Sequence, residues 1–139
     1  MPHLVILYSG NLERDVDMSA LCRALADTLV AQRGEQGAAV FPIGGTRVLA
    51  YPSAHHAVAD GSGDHGFIYM TLRMAKGRSA AVHRQLGDAL AATVRERLAP
   101  LLAHRHVGVT LQIDEGAEVF DAKLGNLHAL FAAASGPAR

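Results

Sequence analysis

The chain has 139 residues, and Lys plus Arg (13) balances Asp plus Glu (13), which leaves no net charge at pH 7 with histidine neutral. That balance excludes the strongly basic character expected of a partner for nucleic acid or an anionic membrane surface. Half of the residues are hydrophobic, Trp is absent, and the single Cys22 excludes an internal disulfide. The composition therefore reads as one aliphatic, Ala-rich domain of a reducing compartment, the cytoplasm.

The opening run Pro2-His3-Leu4-Val5-Ile6-Leu7-Tyr8 is apolar on both faces and predicts a strand buried on both sides. Four consecutive apolar residues are too few for a signal peptide or a membrane helix. Ser9-Gly10-Asn11 breaks the strand, and Asp15 or Asp17 can cap a helix whose apolar stripe is Met18, Leu21, Cys22, Leu25 and Leu29. This helix is expected to run to about Gln32, with Gly34 ending it. A loose loop to Gly45 follows, then a strand over 46–51 closed by Pro52, then a polar loop over 53–65 holding His55, His56 and His65.

The pattern then recurs. A strand over 66–74 leads through Ala75-Lys76-Gly77-Arg78-Ser79, a turn ending in a helix cap, into the stripe Val82, Leu86, Ala89, Leu90 and Val94. Pro100 is expected to end or kink that helix. Val107, Val109, Leu111 and Ile113 alternate with polar or small residues as a half-buried strand. Leu127 to Phe131 is a short apolar piece, and 132–139 is expected to fray.

The element order β-α-β, β-α-β predicts an α+β domain over 1–131 with pseudo-repeats at about 2–52 and 66–114. Two helices would cover one face of a four-stranded sheet. The strands are too apolar for the other face to meet water, so that face is expected to be buried against other subunits.

Pro2 is the candidate for chemistry. Methionine-removing peptidases accept a small residue such as proline behind Met1, and removal leaves a secondary amine on a rigid ring. Burial and nearby cations lower the pKa of such an amine, which makes it a proton carrier near neutral pH. With Met1 attached, the same nitrogen is an amide with no basic lone pair. The other candidates are plainer. The sets His55-His56-His65 and His104-His106 lack zinc-site spacing, so no metal is expected. Cys22 falls on the apolar stripe as core, His3 should point to the opposite sheet face from Pro2 as packing, and Arg73 reads as structural.

Four motifs in order, Pro2-His3-Leu4-Val5-Ile6, Phe41-Pro42-Ile43-Gly44-Gly45-Thr46-Arg47, Met70-Thr71-Leu72 leading into Gly77-Arg78-Ser79, and Asn126-Leu127-His128-Ala129-Leu130-Phe131, resemble the 5-carboxymethyl-2-hydroxymuconate isomerase family of the tautomerase superfamily. The resemblance implies a tautomerase-like fold, a homotrimer, and a cofactor-free proton transfer within a polycarboxylate dienol. It places the family's catalytic proline on Pro2 and its carboxylate-binding arginines on Arg47 and Arg78. His128 and Phe131 then fall at the pocket or at an interface. Forked guanidinium groups suit a substrate with several carboxylates.

The parts are divided between the halves. Asn11 stands where the first half would need Arg78's counterpart, and Val107 or Gly108 stands where Arg47's would fall. Two other readings fit the element order: a tautomerase of another enol keto-acid, such as a phenylpyruvate-like enol, and a ferredoxin-like ligand-binding or cofactor-free oxygenase module.

Overall fold

The computed structural model describes residues 2–134. Its elements are β1 (His3–Ser9), α1 (Met18–Val30), β2 (Arg47–Ser53), β3 (Gly66–Met74), α2 (Ala80–Leu102), β4 (Val107–Glu115) and α3 (Leu127–Ala134), with single 3-10 turns at Gly10–Leu12 and Ile43–Gly45. The sheet order is β2-β1-β3-β4. β1 runs parallel to β2 and β3 parallel to β4, while the central pair β1–β3 is antiparallel. The two strands of each β-α-β unit thus pair directly. A ferredoxin-like chain would instead insert a strand between them.

Alternation sorts the sheet into two faces. Leu4, Ile6, Tyr8, Ile68, Met70, Leu72 and Met74 are buried beneath Leu21, Leu25 and Leu29 of α1 and Leu86, Leu90, Val94 and Leu98 of α2. Burying each such side chain stabilises the fold by about 1.5–3 kcal/mol before entropy is counted. The opposite face carries His3, Leu7, Tyr51, Tyr69 and Arg73, all exposed. Within one chain β1 is therefore buried on one side only, since both helices lie on the same face.

Local chemistry sets the ends of the helices. Asp17 caps α1 by accepting the Ala20 N–H at 3.0 Å, and Ser79 caps α2 by accepting the Val82 N–H at 3.2 Å. α1 stops at Val30, two residues before the expected Gln32. One proline expectation fails for an identifiable reason. Pro52 lies inside β2 and does not close it, because β2 is an edge strand where a missing N–H costs no ladder bond. Pro100 lies in the last turn of α2, which ends at Leu102, close to the expected stop.

The segment expected as a loose loop is pinned. Gly34 donates to the Ala38 carbonyl at 2.8 Å and Val40 to the Gln32 carbonyl at 3.1 Å, and Phe41 is 1% exposed. The apolar piece at 127–131 is helical and extends to Ala134, and 135–139 lie outside the described residues. Among the described residues, no helix is long and apolar enough to cross a membrane.

Candidate active site

The sheet register gathers the candidate residues at one end. His3 pairs with Arg47 on one side and with Arg73 on the other. Pro2, one residue earlier, therefore sits where β1 begins, β2 begins and β3 finishes. Pro2 is buried, and its carbonyl accepts the Arg47 N–H at 3.1 Å. That bond fixes the start of β2 against the proline.

Arg78 reaches the same end by way of the turn after β3. Gly77 has φ +115°, a conformation a side chain strongly disfavours, and this reverses the chain just before Arg78. The Arg78 guanidinium donates to the Ala75 carbonyl at 2.8 Å and the Val40 carbonyl at 3.0 Å, and lies 4.8 Å above the Phe41 ring. Two of its five N–H groups are used in this hold, and the aromatic face below it favours the charge. Arg47 is half-buried and donates from Nη1 to the Gly45 carbonyl at 3.1 Å.

Helix α3 closes over this end through a glycine. A Cβ on Gly44 would stand 2.9 Å from the Cα of His128, so any larger residue would push α3 away. The helix brings Leu127 and Phe131 to a cavity of about 870 Å³ that runs along β2 beneath α1 and is also lined by Arg47, Thr46, Ile43 and Tyr8. His128 is half-buried against the same turn. Pro2 is not among the residues lining this cavity, which meets the proline's end of the sheet through Arg47.

Several sequence candidates fall elsewhere. His65 precedes β3 and so lies at the opposite end of the sheet, edge-on to His106 at 5.7 Å between ring centres. His56 is edge-on to Phe67 at 6.4 Å, and His55 is exposed. Among the described residues, no group of three or more His, Cys, Asp or Glu side chains is arranged to hold a metal ion. Cys22 packs partly against the core, and burial pushes its thiol above the ordinary range. Arg73 pairs with Glu118 at 3.5 Å. His3 faces away from the helices, and burial, with the Arg47 and Arg73 guanidinium groups beside it, holds its imidazole below the usual range.

Neither half carries the whole set. Asn11, in the turn after β1, donates to Asp64 Oδ1 and to the His65 carbonyl, both at 2.9 Å, and Val107 occupies the register position that corresponds to Arg47.

Sequence reasoning missed Phe41, the platform for Arg78, and the pair Tyr8–Glu13. Tyr8 is 2% exposed and donates its hydroxyl to Glu13. Burial, followed by that carboxylate, pushes the phenol up to about 12. Its folded value exceeds its unfolded one, so the stability it contributes is present below about pH 10 and is lost as pH rises toward 12. Spectrophotometric titration should show one phenol ionising at about pH 12, and Tyr8→Phe should remove that step.

Residues 2–131 match the family model described as 5-carboxymethyl-2-hydroxymuconate isomerase. The chain is 29% identical over 131 residues to the 5-carboxymethyl-2-hydroxymuconate Delta-isomerase of Escherichia coli, covering 94% of this chain and 99% of that protein. A solved structure described as 5-carboxymethyl-2-hydroxymuconate delta-isomerase superposes with a TM-score of 0.92 at 60% identity, over 95% of this chain and 93% of the other. A 5-carboxymethyl-2-hydroxymuconate isomerase from Deinococcus radiodurans R1 superposes with a TM-score of 0.82 at 32% identity, over 94% of both chains. With sequence and fold agreeing over nearly its whole length, the chain belongs to the 5-carboxymethyl-2-hydroxymuconate isomerase family.

Proposed function

We propose that this isomerase converts a 2-hydroxymuconate-type dienol, 5-carboxymethyl-2-hydroxymuconate, into its keto isomer 5-oxopent-3-ene-1,2,5-tricarboxylate in the breakdown of aromatic compounds. In the proposed reaction the mature Pro2 amine takes the proton of the 2-hydroxyl group. The oxygen becomes a carbonyl, the double bonds shift by one position, and the resulting ammonium returns the proton to carbon 5. One group serves as base and then as acid, so the atoms balance without a co-reactant. Arg47 and Arg78 would bind carboxylates of the substrate, stabilise charge on the developing carbonyl oxygen and hold the amine neutral. His128 and Phe131 would wall the pocket.

The observation that supports this reading, in a chain of this family, is a buried Pro2 next to the start of β2 at Arg47, with Arg78 in the turn that leaves β3 at the same end of the sheet. The working species would be a homotrimer, since the exposed Leu7, Tyr51 and Tyr69 form an apolar sheet face that needs cover, and the single Cys22 fits the reducing cytoplasm.

The substrate is tested by following loss of the dienol's ultraviolet absorbance. The Met1-free protein should turn over the muconate with kcat/KM at least about 10³-fold above that for the enol of phenylpyruvate, because the latter has one carboxylate for two arginines. Equal rates on both, or a preference for phenylpyruvate, would overturn the substrate assignment.

A further inference from the structure

Residues 116–126, the arm joining β4 to α3, carry Val119, Phe120 and Leu124 at relative exposures of 106%, 85% and 92%. Single exposed apolar residues are ordinary, but three large ones so close together on one arm form a patch. The arm is tethered at both ends. Gly116 donates to the Met74 carbonyl at 2.7 Å, Glu118 pairs with Arg73 at 3.5 Å, and α3 holds the far end against the Ile43–Gly45 turn. It starts over the open sheet face, where Ala117 shares a recess with His3, Val5, Thr71 and Arg73.

The same open face holds a second, apolar groove of about 640 Å³ toward its other end, lined by Leu7, Tyr51, Phe67, Tyr69 and Gly108. Gly108 lies on the edge strand β4 with no heavy atom within 4 Å of where its Cβ would be. A bare glycine on an edge strand is a place where an aromatic ring can cover the backbone. The arm does not fill this groove in its own chain: Val119, Phe120 and Leu124 stay exposed and none of them lines it. Phe120 is only two residues past the Glu118 tether to Arg73, which holds it toward the Pro2 end of its own sheet. Tyr69 is four residues up the strand from Arg73, about 13 Å away, and the groove extends beyond it.

We infer that the arm of one chain docks through Phe120, flanked by Val119 and Leu124, into the Leu7–Tyr69–Gly108 groove of a second copy of the chain. The two patches differ, so the contact is heterologous, and a rotation of one third of a turn between neighbours closes it into a three-membered ring. It specifies how the proposed trimer is held together, and it rests on that reading of the assembly but not on the substrate. An arm held by a neighbour would also be fixed where it leaves β4, at the Pro2 end of its own sheet.

Light scattering after gel filtration, with wild type beside Phe120→Asp and Phe120→Leu, tests this directly. The wild type and Phe120→Leu should have the mass of three chains. Phe120→Asp should have the mass of one chain at concentrations about tenfold or more above those at which the wild type associates, with unchanged circular dichroism, since the side chain is exposed within its own chain. In a Cys22→Ala background, Phe120→Cys and Thr110→Cys chains refolded together should be joined by a short bismaleimide into a mixed two-chain product. A trimer that survives Phe120→Asp without a mixed cross-link would overturn this contact and leave the trimer standing. A wild type of single-chain mass at every concentration would overturn both.

Discussion

Replacing Pro2 by Ala should lower kcat by about 10²-fold with little change in KM, and retaining Met1 should lower it by about 10³-fold or more. The two variants fail differently. After methionine removal, alanine still offers an amine, but a primary one on a free chain end, so the base survives without its rigid placement. Retained Met1 turns the nitrogen into an amide, and the base is gone. Neither change should disturb the fold, because the bond that ties Pro2 to β2 uses its carbonyl and not its nitrogen. Thermal unfolding checks this, since a change in Tm of more than a few degrees would assign the loss to structure. Rate loss with an unchanged Tm and an unchanged KM marks a group that acts on the transferred proton.

Arg78→Ala should lower kcat/KM by about 10²–10³-fold, the usual consequence of removing a charge-assisted donor from a developing anion. Part of the effect is expected in KM, because the same guanidinium is proposed to bind the ground-state carboxylate. Arg78→Lys should recover little of it. A lysine can carry the charge, but it lacks the planar fork that here reaches two carbonyls while stacking over Phe41. Phe41→Leu separates positioning from contact. It removes the aromatic platform and leaves Arg78 in place, so activity should fall by about tenfold or less, with Arg78→Ala adding less on that background than on the wild type. Equal losses for Arg78→Ala in both backgrounds would show that Phe41 does not position the arginine.

Much of the fold was legible because period and composition agreed in each element. Leu86, Leu90, Val94 and Leu98 recur at helical spacing and are buried, and Ser79 caps the helix as its position suggests. What misled was context that no local pattern carries. Pro52 reads as a strand end until β2 is known to be an edge strand. Pro100, by contrast, marks the last turn of α2 much as its ring chemistry suggests.

The candidate site divided the same way. Pro2, Arg47 and Arg78 could be named from motifs, but their placement at one end of the sheet depends on the β1–β2 and β1–β3 registers, which join residues far apart in sequence. Phe41 and Gly44 were invisible as site residues. One acts through a long-range stacking contact with Arg78, the other through the absence of a side chain beneath His128. The arm over 116–126 has no periodicity, and the exposure of Val119 and Phe120 shows only once the chain is folded.

The proposal that the Pro2 amine carries the proton is tested most directly by covalent trapping. A small α-keto acid condenses with a secondary amine to an iminium ion with loss of water, and cyanoborohydride delivers hydride to give a stable tertiary amine. Intact mass and peptide mapping then give the number and position of labels, and turnover is measured on the same samples. The expected result is activity falling in a straight line to zero as labelling approaches one group per chain, all of it on Pro2. Full activity in protein whose Pro2 nitrogen is blocked, or inactivation that tracks a label on any other residue, would contradict it.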